Sequence, residues 1–274
     1  MQNEKFRASS LWGALIGACV LTSSAGAVIT ANPMARPANS FVGKWNGSSA
    51  VAIGSNWIVT ARHNGGNLNT KFRYNGVNYT TDAIYTHATA DITVVRVVET
   101  LPGWHSITAP AAAQMIQIGG MGRVAGASLR DGYHWSGPNT ETWGQNRIDW
   151  AVGDFIAFDW DLSGGSAGSM TGAVMHEAGL AQNDSGGGVF VRQTDGSLSI
   201  VGIGVGVSEL DITRHGSWSY ALNLNPYLSW MQNVAGVSFA LPSGVPGPGY
   251  AVPAPGSATL LFGSLGVMGL RRRR

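Results

Sequence analysis

The sequence predicts an all-β protein, and three observations carry that expectation. Short Val/Ile/Thr/Trp runs alternate with Gly/Asn/Ser clusters, the pattern of strands joined by turns. No sustained 3.6-residue period appears before Asn225, so no long amphipathic helix is expected upstream of it. Glycine is abundant, 39 of 274 residues, and only 12% of residues are charged, which suits tight turns better than solvated helix faces. About 200 residues lie between two distinctive ends, enough for one large all-β domain or two small barrels packed together.

The elements follow in order. Lys5 and Arg7 precede an apolar run over 11–21 and then Ser23-Ser24-Ala25-Gly26-Ala27. A basic start, a short apolar stretch and an Ala-x-Ala site read as a secretory signal peptide over 1–27, too short to span a membrane comfortably. Ile16-Gly17-Ala18-Cys19 also fits a lipoprotein signal loosely, with Cys19 acylated, but the apolar run continues past Cys19 and Ala27 fits ordinary cleavage better. Cys19 is the only cysteine, so a chain cleaved after Ala27 has no disulfide and depends on its core. Asn56-Trp57-Ile58-Val59-Thr60-Ala61-Arg62-His63 reads as a hydrophobic strand ending in a histidine. Asp91-Ile92-Thr93-Val94-Val95-Arg96-Val97 reads as a strand opened by an aspartate. Asn183-Asp184-Ser185-Gly186-Gly187 is a glycine-bounded turn followed by a short strand, Val189-Phe190-Val191.

Those three segments supply complementary chemistry. A serine hydroxyl is a weak nucleophile until a base takes its proton and donors stabilise the oxyanion. Ser185 is the candidate nucleophile, His63 the base and Asp91 the group that orients the base. Ser163 also precedes Gly-Gly, but it lacks the preceding aspartate and the following strand. Asp82 is the alternative to Asp91, without the alternating strand behind it. His87, His105, His134, His176 and His215 lack comparable surroundings, and no His/Cys/Asp spacing asks for a metal; no cofactor is expected.

The order His, Asp, Ser and its flanks resemble the chymotrypsin-like (trypsin-like) serine peptidases. Thr60-Ala61-Arg62-His63 resembles that family's Thr-Ala-Ala-His, Asp91 to Val97 its Asp-Ile-Ala-Leu-Leu-Arg-Leu, and Asn183 to Gly187 its Gly-Asp-Ser-Gly-Gly. Gly120-Met121-Gly122-Arg123 and Ile200-Val201-Gly202-Ile203 support the register, and the likeness covers about residues 41 to 235. It implies two packed six-stranded antiparallel β-barrels with a short C-terminal helix, here over 28–236. It also implies an oxyanion hole from the backbone N–H groups of Asn183 and Ser185, and a role for Asp184 as partner of a freed N-terminal amine such as that of Val28. Asparagine stands where the family has glycine at 183, and it tolerates positive φ better than most side chains. The same register places the substrate pocket at Gly179, Val205, Gly206 and Val207, with Trp218 near its back. A glycine at the floor argues against Arg or Lys recognition and for small or medium apolar side chains. The expected activity is that of a secreted serine endopeptidase acting on a peptide or protein. The alternative is a catalytically inactive relative serving as a surface-binding module. An esterase is disfavoured, because no Gly-x-Ser-x-Gly elbow surrounds Ser185.

The C-terminal end is a Pro/Gly linker over 237–255 followed by a distinctive segment over 252–274. Val252-Pro253-Ala254-Pro255, an apolar stretch over 256–270 and four arginines resemble the PEP-CTERM sorting signal, with Ala254 in place of its glutamate. That resemblance implies transient membrane contact, a sorting enzyme of the exosortase type as partner, and a position at the cell surface or outside the cell. Fifteen residues at 1.5 Å each reach roughly 22 Å, short of a ~30 Å hydrocarbon core, and the arginines resist translocation. Without the ends the charge reverses: residues 28–236 hold 11 Lys/Arg against 14 Asp/Glu, a net of −3. The overall formal charge of +2 therefore gives no reason to expect nucleic acid as a partner.

Overall fold

The computed structural model describes residues 28–161, 172–237 and 239. The signal segment, the linker and sorting segment beyond 240, and Ser163 lie outside the described residues. Among the described residues no helix is long and apolar enough to cross a membrane.

The fold is all-β, in two units. After a short strand β1 (Ile29–Thr30), the first unit comprises β2 (Val42–Trp45), β3 (Ser48–Gly54), β4 (Trp57–Thr60), β5 (Lys71–Tyr74), β6 (Val77–Thr86) and β7 (Thr93–Val97). They form a closed six-stranded antiparallel barrel in the order β2-β3-β4-β7-β6-β5, sealed by Lys44 opposite Arg73. The second unit contains β8 (Met115–Gly120), β9 (Val124–Ser128), β10 (Gly132–Ser136), β11 (Thr142–Arg147), β12 (Trp150–Val152), β13 (Phe155–Asp159), β14 (Ala178–Gly179), β15 (Gly188–Arg192), β16 (Leu198–Val207), β17 (Ile212–Arg214) and β18 (Trp218–Asn223). Seven of these curl into a half-barrel, β11-β8-β15-β16-β18-β13-β12, flanked by a three-stranded sheet β17-β10-β9 and the pair β1-β14. The expected β architecture is present. The second unit is a curled seven-stranded half-barrel in place of a closed six-stranded one, with the three-stranded sheet as a separate element.

Alternation explains why Trp57-Ile58-Val59 and its neighbours are apolar without interruption. Successive side chains of a strand point to opposite faces, and here both faces are buried. Ala50, Ala52, Ile58, Val95 and Val97 fill the first barrel together with Trp45 and Phe72. Val51, Ile53, Trp57, Val59 and Val94 face the other way, against Trp143, Phe190, Ile200, Ile203 and Leu222 of the second unit. Ile116, Ile118, Val189, Val191 and Val201 line the interior of the half-barrel. The interface between the units is thus a core of its own, and it places the loops of one unit against those of the other.

The chain closes with a single 3₁₀ turn, Asn225–Tyr227, and helix α1 (Leu228–Ala235). Pro226 lies in the first turn, where its missing N–H costs nothing, and Gly236 ends the helix at φ +66°. Met231 is buried in the core between the units, and Trp230 packs against it.

Candidate active site

The three candidate residues, far apart in sequence, meet at the junction of the two units. Strand β4 ends at Thr60 and turns through Arg62–Asn64. Strand β7 begins at Thr93, directly opposite Thr60. His63 follows one strand and Asp91 precedes the other, so a single antiparallel register brings them to the same end of the barrel. The Nδ1 of His63 lies 2.6 Å from Oδ2 of Asp91, and the His63 backbone N–H donates to Oδ1 at 2.9 Å. Across the junction, Nε2 of His63 lies 2.7 Å from Oγ of Ser185. With Nδ1–H donating to the carboxylate, Nε2 is left as the acceptor for the serine hydroxyl.

Asp91 is suited to that part. Burial opposes its ionisation, but the hydrogen bonds from the His63 side chain and backbone, with the charges of His63 and Arg62, outweigh burial and hold the carboxyl below its ordinary range. Asp82 is occupied elsewhere: both its oxygens accept from Nε of Arg96, at 2.9 and 3.1 Å. Two of the other histidines are engaged elsewhere. His105 is buried between Phe41 and Phe190, donates from Nδ1 to the Leu198 carbonyl, and is pushed down to about 4 by burial. Nδ1 of His176 is bonded to the carbonyl of Asn32.

The turn carrying Ser185 is tightly constrained. The Asp184 N–H donates to Ala181 O, Gly186 N–H to Gly204 O, and Gly187 N–H to Asp184 O. Asn183 sits at φ +73°, a left-handed conformation that asparagine tolerates better than most side chains. Its side chain reaches Oδ1 of Asn139 at 3.1 Å. Among the described residues no group takes the N–H of Asn183 or of Ser185. These are the two donors expected to meet an oxyanion. Asp184 is fully buried; burial raises its carboxyl well above the usual range, and the N–H groups of Ala181 and Gly122 oppose that rise by bonding its oxygens at 2.8 and 3.0 Å. Two backbone donors hold Asp184 in the chain whose Val28 still follows Ala27. Val28 and Ile29 are nonetheless buried, with Ile29 paired to Gly179. Gly120 and Gly122 are required by this carboxylate: a Cβ on Gly120 would lie 2.1 Å from Oδ1, and one on Gly122 at 2.7 Å.

The first barrel holds this turn from outside. The Ser49 N–H and the Asn64 side-chain amide both donate to the Ser185 carbonyl, at 3.1 and 2.7 Å. The Ser49 hydroxyl donates to the Asn183 carbonyl at 3.0 Å and accepts from the Met121 N–H at 2.8 Å. Sequence reasoning passed over both residues, because neither carries chemistry of its own; the only signal for Asn64 was its place directly after His63.

A cleft of about 530 Å³ opens beside Ser185. Val205, Gly206 and Val207 line it, as expected from their register, together with Leu180, Ala181, Gln182, Trp135 and Leu210. Gly179 is not among the lining residues; it is buried in β14, where a Cβ would meet the Ser219 hydroxyl at 3.3 Å. Trp218 does not line the cleft either and pairs with Asp159 in the half-barrel. Trp135 was not foreseen: it comes from the small sheet, and its Nε1 is spent on Thr213 Oγ1 at 2.8 Å, which leaves an apolar wall. Among the described residues no group of three or more His, Cys, Asp or Glu side chains forms a metal site.

The arrangement can deprotonate the serine, hold the resulting imidazolium against a carboxylate, and offer two N–H donors near the hydroxyl. No protein-family model matches the sequence, and no curated protein matches it.

Proposed function

We propose that this protein is a serine endopeptidase of the chymotrypsin-like kind, acting on a peptide or protein substrate. One observation carries the reading: the continuous path from Asp91 through both ring nitrogens of His63 to Ser185 Oγ, at 2.6 and 2.7 Å. In the proposed reaction His63 Nε2 takes the hydroxyl proton as Ser185 Oγ attacks the scissile carbonyl. The N–H groups of Asn183 and Ser185 receive the oxyanion. The imidazolium, stabilised by Asp91, gives its proton to the leaving amine and an ester to Ser185 remains. Water then hydrolyses that ester by the same proton path in reverse. An apolar cleft wall, with Val207 packed against Ile29, Trp135 and Ala181, favours small or medium apolar side chains before the cleaved bond.

The flanking segments extend the proposal. Export through the signal over 1–27 and transient retention by the segment over 252–274 would put the peptidase at the cell surface or outside the cell.

An organophosphonate serine probe tests the central claim. Labelling is expected at Ser185, and Ser185→Ala should abolish both labelling and peptide cleavage. His63→Ala should do the same, and the double variant should be little worse than either single one, because residues that act as a unit fail together. An unlabelled, correctly folded chain would instead identify a binding module.

A further inference from the structure

Arg62 stands next to His63, where the family resembled above has alanine. Its side chain is exposed, yet it is engaged: Nη1 donates to the carbonyl of Ala88 at 3.0 Å and to that of His87 at 3.3 Å. Those carbonyls belong to the turn that leads into Asp91. The rest of that turn is closed by its own groups. The His87 N–H donates to Ile92 O at 3.0 Å, and Nδ1 of His87 accepts the N–H groups of Ala90 and Thr89 at 3.0 and 3.3 Å. Tyr227 and Trp230 back the His87 ring edge-on, with centroids at 5.2 and 4.9 Å. The turn is therefore braced on its far side by the C-terminal helix region and on its near side by Arg62.

We infer that Arg62 is a positioning residue that ties the turn bearing Asp91 to the turn bearing His63. Two donors of His63, its backbone N–H and its Nδ1–H, must both meet the Asp91 carboxylate, so the two turns have to keep a fixed separation. A charge-assisted guanidinium contact to successive carbonyls supplies that constraint without touching substrate. Misplacement of a catalytic group by about 1 Å can cost on the order of 100-fold in rate. Arg62 is exposed and its turn has other braces, so its removal is expected to cost about 5- to 30-fold.

The inference rests on the peptidase reading for its kinetic consequence, and the test has one arm that needs no turnover. Arg62→Ala and Arg62→Lys would be compared with the wild-type chain by peptide hydrolysis and by proton NMR of the His63 Nδ1–H. The Ala variant should lose about 5- to 30-fold in kcat with KM nearly unchanged and an unaltered melting curve, and its Nδ1–H resonance should broaden by exchange with water. The Lys variant should recover most of both, since an ammonium still reaches a carbonyl. Unchanged kcat and a resonance as sharp as in the wild type would overturn the role of Arg62. A wild-type chain without turnover would overturn the peptidase reading alone, and the NMR comparison would still decide the bracing.

Discussion

The two units solve different problems. The first barrel closes on itself, and its share of the site is set by one strand pairing: Thr60 opposite Thr93 brings His63 and Asp91 together. The second unit leaves β11 and β12 as the edges of an open half-barrel, and Ser185 sits on a loop between β14 and β15 rather than at a strand pairing that could aim it. Its hydroxyl is aimed from outside, by Ser49 and Asn64 of the first barrel on the Ser185 carbonyl and by the buried Asp184 beneath. The His63–Asp91 pair is thus a product of local register, and the placement of Ser185 a product of packing between the units. Damage confined to one source should leave the other readable.

The sharpest way to separate them is within the first barrel. Asp91→Asn keeps the shape but leaves His63 in the wrong tautomer, and should lower kcat by about 10⁴-fold. Asp82→Asn removes only an exposed pair with Arg96, worth at most about 1 kcal/mol, and should leave activity within about 2-fold. Steady-state kinetics on both variants checks this; a severe loss on changing Asp82 would refute the assignment of Asp91.

Gly186→Ala strikes the junction itself. Gly186 has φ +80°, and a Cβ there would lie 2.2 Å from the Ser49 carbonyl and 2.4 Å from Thr60 Oγ1. Neither neighbour is a flexible chain end. The substitution is expected to destabilise the protein by about 3–5 kcal/mol, through backbone strain and forced separation of the units. Denaturant unfolding measures it, and a cost below about 1 kcal/mol would mean that the junction yields more easily than its contacts suggest.

The second unit has its own pH signature. Burial raises Glu177 to about 8, against the opposing N–H bonds of Val174 and Asp161 and with the help of the nearby Asp161 and Asp159 charges. A carboxyl raised in the folded state holds its proton there after the unfolded chain has released it. Its contribution to stability is complete below the ordinary value of 4.5 and is lost as pH rises toward about 8. Unfolding free energy should fall by up to about 5 kcal/mol from this group across that window. Asp91 acts in the opposite sense, its stabilisation being lost as pH falls below the usual carboxylate range. Melting curves of Ser185→Ala, which avoids self-digestion, should show the decline, and adding Glu177→Gln should flatten it. Equal slopes with and without Glu177 would remove this group as the cause.

What could be read from the sequence follows the same division. His63, Asp91 and Ser185 each sit in a short segment whose alternation or turn chemistry is encoded by immediate neighbours, and the all-β class rests on the same local signals. Asn183 at positive φ was likewise legible, because that conformation depends on the residue itself. The substrate pocket was legible only in part. Val205 to Val207 lie on one strand, directly after the Gly204 whose carbonyl takes the Gly186 N–H, whereas Trp135 and Leu210 reach the cleft from a separate sheet and loop. Gly179 was placed in the pocket by counting back along the chain, yet β1 covers it by pairing with β14.

By itself, the sequence determined the strand-and-turn character of the chain and which residues are candidates for its reactive groups, since both depend on interactions a few residues long. Only the tertiary structure decided that Asp82 belongs to Arg96, that the second unit stays open, that Asp184 is held by Ala181 and Gly122, and which side chains wall the cleft. Each of these depends on atoms from distant segments competing for the same buried space and the same hydrogen-bond partners, and no local pattern records the outcome of that competition.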